Sequence, residues 1–215
     1  LPVDVVSTVS AFELHAAPAP GPTKQLAFVG AASSIPAGGF AAGATVWFGI
    51  AKSAEWMSPS EAVLEVDVDR NGDGIPDFRV KALQTGEVED PAGSGEPADP
   101  TDVYVSFTAA GPTFRQGSYR YLNVDPATRD TNLFASNVVV LPAPAGSDGL
   151  GLTSGNARFR YRVTSTNPVT GRTDETGWLT FDAEKPGYSV LAANGTPFHD
   201  DLGGTALPAR YDAAS

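Results

Sequence analysis

Residues 158–165 read Arg-Phe-Arg-Tyr-Arg-Val-Thr-Ser, with apolar and cationic side chains alternating one for one. Successive side chains of a strand point to opposite faces. Phe159, Tyr161 and Val163 therefore share one face, and Arg158, Arg160 and Arg162 share the other. A strand of that kind has one face on a core and one in water, the usual state of an antiparallel sheet. The same period recurs at 3–14, 25–29, 45–50, 62–69, 77–83, 102–108, 118–122, 137–141 and 177–181. Val138-Val-Val-Leu141 is apolar throughout, which predicts burial on both faces. Ten candidate strands separated by turn residues predict an all-β, antiparallel β-sandwich, of jelly-roll or immunoglobulin/fibronectin-like type. Helix is expected to be scarce, with a short turn at most in 53–62 and 146–152.

Composition agrees with that reading. The 215 residues include 23 Gly and 18 Pro, and 18% are charged. Many short strands joined by chain-breaking turns produce such a profile, and long helices do not. A chain of this length buries a sizeable core as a single domain over 1–215 and needs no covalent staple. Cysteine is absent, which excludes disulfides and thiolate metal sites. The formal net charge of −11 repels phosphate backbones and anionic lipid heads, arguing against nucleic-acid and membrane-surface partners. It also favours divalent cations. No apolar run reaches the ~20 residues of a membrane span. A cysteine-free, acidic, Ala/Gly/Pro-rich composition fits an exported protein of a GC-rich bacterium. Residues 1–13 carry no basic leader, so a soluble piece of a longer precursor is expected. Two stretches lack core-forming pattern: a Pro-rich connector at 16–23 and an acidic Gly/Pro-rich loop at 86–100.

The strongest chemical signal is Asp67-Val-Asp-Arg-Asn-Gly-Asp-Gly-Ile-Pro-Asp77. Calcium takes six to eight oxygens, and alternate residues of a tight loop can turn them inward. With Asp69 at the first position, Asn71 and Asp73 fall at the third and fifth, and Gly74 at the sharp sixth. The Ile75 carbonyl and the Asp77 carboxylate then supply the seventh and ninth. The twelfth position is Val80, so the distal Glu of an EF-hand is missing, and the flanks read as strands. Asp67 is either a further ligand or an outward-facing strand residue. An Asn-Gly-Asp-Gly hairpin turn explains the glycines without a metal. It does not explain four aspartates in eleven residues, whose repulsion needs a counter-charge beyond what Arg70 and Arg79 supply. The reading is a structural calcium clip within a hairpin.

Catalytic signatures are lacking. The two histidines are His15, beside the Pro-rich connector, and His199, in Phe198-His-Asp-Asp-Leu202, which reads as a surface turn. There is no G-x-S-x-G elbow, P-loop or dinucleotide fingerprint, and no carboxylate pair stands out. Trp47, Trp56, Trp178, Tyr119 and Tyr121 are candidates for a sugar-stacking platform. Trp47 reads as core, and Trp56 as the tryptophan most exposed. Asn194-Gly-Thr196 matches a glycosylation sequon, which carries little in a bacterial chain.

Several phrases taken in order carry a family resemblance. They are Ser7-Thr-Val-Ser-Ala-Phe-Glu-Leu14, Phe28-Val-Gly-Ala-Ala-Ser33, Phe48-Gly-Ile50, and Val66-Asp-Val-Asp69 with its Gly-Asp-Gly-Ile-Pro-Asp-Phe loop. Thr101-Asp-Val103, Asp130-Thr-Asn132, Phe134, Asn137-Val-Val-Val-Leu-Pro142 and Phe159-Arg-Tyr-Arg-Val-Thr164 complete the series. Over roughly 5–182 the chain resembles the C-terminal β-sandwich region of large secreted subtilisin-like serine proteases of actinobacteria and related bacteria. It departs from that pattern at 86–100 and 124–129. The resemblance implies a non-catalytic accessory domain, joined in cis to a protease domain that holds the Asp/His/Ser triad, with no triad residue here. It implies a secreted, extracellular setting and contact with protein or polysaccharide at the cell surface. Two other functions remain open on the residues themselves. One is a free-standing carbohydrate-binding or adhesin-like sandwich, and the other is an independent enzyme.

Overall fold

A computed structural model describes residues 7–18, 25–85, 103–123, 133–189, 197–201 and 210–211. The acidic loop at 86–100, the sequon and most of the Pro-rich connector lie outside these. Among the described residues, fifteen strands run in chain order. The first eight are β1 (Ser7–Ser10), β2 (Glu13–Ala16), β3 (Leu26–Ser33), β4 (Thr45–Trp56), β5 (Val63–Asp69), β6 (Phe78–Gln84), β7 (Tyr104–Ala110) and β8 (Gly117–Tyr121). The rest are β9 (Ser136–Pro144), β10 (Arg158–Thr166), β11 (Thr173–Glu175), β12 (Leu179–Asp182), β13 (Tyr188–Ser189), β14 (Phe198–Asp201) and β15 (Arg210–Tyr211). Among the described residues, helix comprises α1 (Ile35–Gly38), a single 3-10 turn, Pro59–Glu61, and the helical residue Thr85 after β6. Residues 146–150 form a bend and turn rather than helix, and Ser53 to Trp56 extend β4.

Every pairing among the described strands is antiparallel. One sheet has four strands in the order β2-β3-β4-β9. The other has seven: β11-β10-β5-β6-β7-β8, with β12 continuing the edge that β11 begins along β10. β1 pairs with β14, and β13 with β15, as separate ribbons. Valines, leucines and aromatics from both main sheets form one cluster, including Val29, Val46, Phe48, Ile50, Val66, Val68, Val139, Leu141, Phe159, Tyr161 and Val163. The rings of Phe48 and Tyr161 lie 5.2 Å apart between centroids and bridge the sheets. The molecule is therefore an all-β sandwich, as the alternation of 158–165 predicts. Phe159, Tyr161 and Val163 are buried while Arg160 and Arg162 are partly exposed.

The two outer faces differ. On the four-stranded sheet, Gly30 and Gly49 sit opposite each other in register. Together they leave a flat spot where the Phe12 ring lies. A Cβ on Gly49 would stand 3.1 Å from that ring. Phe12 covers Trp47 and Val140, which form a small apolar cluster apart from the main core. The run at 138–141 is thus buried on both faces from Val139 on, with Val138 partly exposed. On the seven-stranded sheet the outer face is ionic.

Candidate functional site

The Asp67–Asp77 stretch divides into a strand half and a loop half. In β5 the apolar Leu64, Val66 and Val68 face the core, so Glu65, Asp67 and Asp69 share the outer face. Register places Arg79 of β6 and Arg162 of β10 directly across from Asp67, and Arg160 across from Asp69. Asp67 Oδ1 accepts from Arg79 Nε at 2.7 Å, and its Oδ2 accepts from Arg162 Nη2 at 2.9 Å. Asp67 thus faces outward from β5, bonded to two arginines. Lys81 reaches Glu65 at 2.5 Å, extending the row. The Trp178 ring lies under the guanidinium groups of Arg160 and Arg162 at 5.4 and 5.1 Å, and Phe114 lies under that of Arg79 at 4.6 Å. Stacking of this kind desolvates the arginines while keeping their charge satisfied.

Asp69 is the hinge between the halves. Its side chain is fully buried and accepts from Arg160, from Gly72 N at 2.6 Å and from Gly74 N at 2.8 Å. Burial pushes its pKa up. The Arg160 hydrogen bond and those from Gly74 and Gly72 outweigh burial and hold the carboxyl below its ordinary value. Beyond it the loop repeats one device: Asn71 Oδ1 accepts from Asp73 N at 2.9 Å, and Asp73 Oδ1 accepts from Ile75 N at 2.7 Å. Gly72 and Gly74, at φ +84° and +87°, make these successive turns possible. Asp77 closes the loop, its Oδ2 accepting from Arg70 N at 2.8 Å and its own N–H bonding Val68 O.

These contacts redistribute the charge expected from sequence. Arg79 does neutralise an aspartate, but Arg70 points away from the loop. Its Nη1 donates to Gly151 O at 2.9 Å and its guanidinium stacks on Phe78. The partners of Asp67 and Asp69 also include Arg160 and Arg162, from a strand more than ninety residues away. Asp73 and Asp77 have no cation partner among the described residues. There too, no group of three or more carboxylate or imidazole side chains gathers as a metal cage. The loop's donor set is mixed. Asp69, Asn71, Asp73 and Asp77 are oxygen donors at alternate positions, the chemistry a hard cation takes, and Ile75 sits exposed at the rim.

Elsewhere the aromatic expectations are corrected. Trp56 is buried at 2% exposure, with its indole N–H donating to Leu133 O at 2.6 Å. Trp47 is buried, as its sequence context predicts. Tyr119 is exposed and meets Tyr121 edge to face on β8. His199 lies in β14 opposite Val9, a strand residue rather than a turn residue. His15 Nδ1 lies 2.6 Å from Tyr161 Oη, and Nε2 lies 3.0 Å from Glu13 Oε1 without hydrogen-bond alignment. This carboxylate–imidazole–hydroxyl series ends in the core. Tyr161 is fully buried, and burial, then Glu13, raises its pKa. It ties β2 to β10 across the sandwich.

No known family model, curated protein or solved structure matches this chain.

Proposed function

We propose that the chain is a non-catalytic, calcium-clipped sandwich module of an exported protein, of the type that accompanies subtilisin-like serine protease domains. The observation that carries the calcium part is the loop half of Asp67–Asp77. There Asp69, Asn71 and Asp73 fold alternate side-chain oxygens back along one tight turn, closed by Asp77, while Asp73 and Asp77 meet no cation among the described residues. Asp69, Asn71, Asp73, the Ile75 carbonyl and Asp77 would hold the ion, which would supply the missing counter-charge and pin β5 to β6. A clip on a hairpin adds stability by binding only the folded state, and weak sites fill at extracellular calcium levels. Isothermal titration with calcium is expected to give one saturable site that Asp73→Asn weakens. A flat isotherm overturns the clip.

Attachment to a protease rests on the order of sequence phrases alone. Reading the gene upstream of Leu1 tests it. An in-frame domain with Asp, His and Ser triad motifs is expected there, and an unrelated domain or an immediate start codon overturns it. The carbohydrate-binding alternative calls for an exposed aromatic row. It has less support, because Trp47 and Trp56 are buried and Trp178 is covered by two arginines.

A further inference from the structure

At one end of the sandwich β4 outruns its partner strand. Its regular pairing with β9 stops at Ala51, and 52–55 overhang before Trp56 rejoins Ser136. Across from this overhang stands the turn linking β10 to β11, from the opposite sheet. Asn167 N donates to Arg172 O, and Asn167 Oδ1 caps Val169 N and Thr170 N at 3.0 and 2.8 Å. Between overhang and turn lies a cleft of about 430 Å³. Gln25 forms part of its wall and is held at three points. Its N–H donates to Asp174 Oδ2, its Nε2 to Arg172 O, and its Oε1 accepts from Ser165 Oγ. The wall is therefore rigid before any ligand arrives, which lowers the entropic cost of binding.

Beside the carboxylates Glu55 and Glu61, two cations line this cleft, Lys52 from the overhang and Arg172 from the turn. In a chain of net charge −11, neither has an ion-pair partner among the described residues. The Lys52 ammonium stands 5.2 Å from the centroid of the Trp56 ring. We propose that this cleft binds a small polar molecule through a carboxylate, held between Lys52 and Arg172, with Glu55 and Asn167 at the rim receiving its hydroxyl or N–H donors. Burial lowers the Lys52 pKa, and the Glu61 carboxylate, which also lines the cleft, opposes that shift. Charged and amide groups from both sheets converge on one concave site, the ordinary anatomy of a small-ligand pocket. The inference is independent of the calcium reading, whose residues lie on another loop.

Such a carboxylate belongs to a free peptide C-terminus or to an acidic sugar. The test is titration of the ¹⁵N-labelled chain with glycylglycine and with glucuronate, followed by amide chemical shifts. Glycylglycinamide and glucose serve as counterparts without the carboxylate. Saturable shifts at 52–56 and 167–172 with at least one carboxylate are expected, and whichever saturates at lower concentration identifies the source. Loss of one charge-assisted contact should weaken binding about tenfold in Lys52→Met and equally in Arg172→Gln, an exposed turn position where folding is not at stake. Absence of saturable shifts, equal shifts with the amide or glucose, or unchanged affinity in both variants would overturn the proposal.

Discussion

The two outer faces of the sandwich solve one problem by opposite means. The seven-stranded sheet covers its outside with charge: Lys81, Glu65, Arg79, Asp67, Arg162 and Glu175 run across four strands, with Arg160 and Asp69 beside them. The four-stranded sheet covers its outside with its own chain, laying Phe12 over paired glycines beside Trp47. The first needs cross-strand register, because each carboxylate must meet its guanidinium. The second needs close approach, because a Cβ on Gly49 would crowd the Phe12 ring and one on Gly30 would meet the Glu13 carbonyl oxygen. The ionic face adjoins a loop whose Asp73 and Asp77 meet no cation among the described residues, and Asp69, where face and loop meet, is held by Arg160 of the sheet and by the N–H groups of Gly72 and Gly74.

The comparison is broken most severely at Arg160. Arg160→Met leaves the buried Asp69 carboxylate with only two backbone donors. A loss of about 3 kcal/mol is expected by urea denaturation, in the range for orphaning a buried charge. Phe12→Ala attacks the other face by uncovering Trp47. A partly buried ring should cost about 2 kcal/mol, accompanied by a red shift of tryptophan emission. Gly49→Ala, which pushes a methyl toward the same ring, should cost about 1 kcal/mol and leave the ionic face intact. Lys81→Ala removes a partly exposed pair, and less than about 1 kcal/mol is expected.

Acid separates the faces in another way. The Asp69 pKa is lower folded than unfolded. Its contribution is therefore present above the unfolded value, about 4, and is lost as pH falls through the lower folded value. Stability measured from pH 5 downward should fall, and Asp69→Asn should flatten that part of the slope. Phe12→Ala should lower the whole curve without changing its shape.

How far these features were legible depends on whether they are local. The period-two run at 158–165 shows which of its side chains meet the core, because strand geometry alone decides that. The Asx-rich turn at 69–77 is likewise written in adjacent residues. The partnership of Asp67 with Arg162 is not, because it depends on how β10 lies against β5, a register set by the whole fold. Trp56 reads as exposed because polar residues precede it. The irregular pairing after Ala51 returns its ring to the interior. His199 reads as a turn because Asp200 and Asp201 follow, yet pairing with β1 extends it. The four-residue α1, with Pro36 inside its first turn, is too short to show a helical period.

The central claim is that calcium would supply a counter-charge to Asp73 and Asp77, which meet no cation among the described residues. It is tested most directly by thermal melting of the wild-type chain and of Asp73→Asn, each in millimolar calcium and in chelator. Saturation at about 100 times Kd would add about 2.7 kcal/mol. The melting point of the wild type is expected to rise by several degrees in calcium, with most of that rise lost in Asp73→Asn. Superimposable wild-type melts with and without calcium would contradict the account.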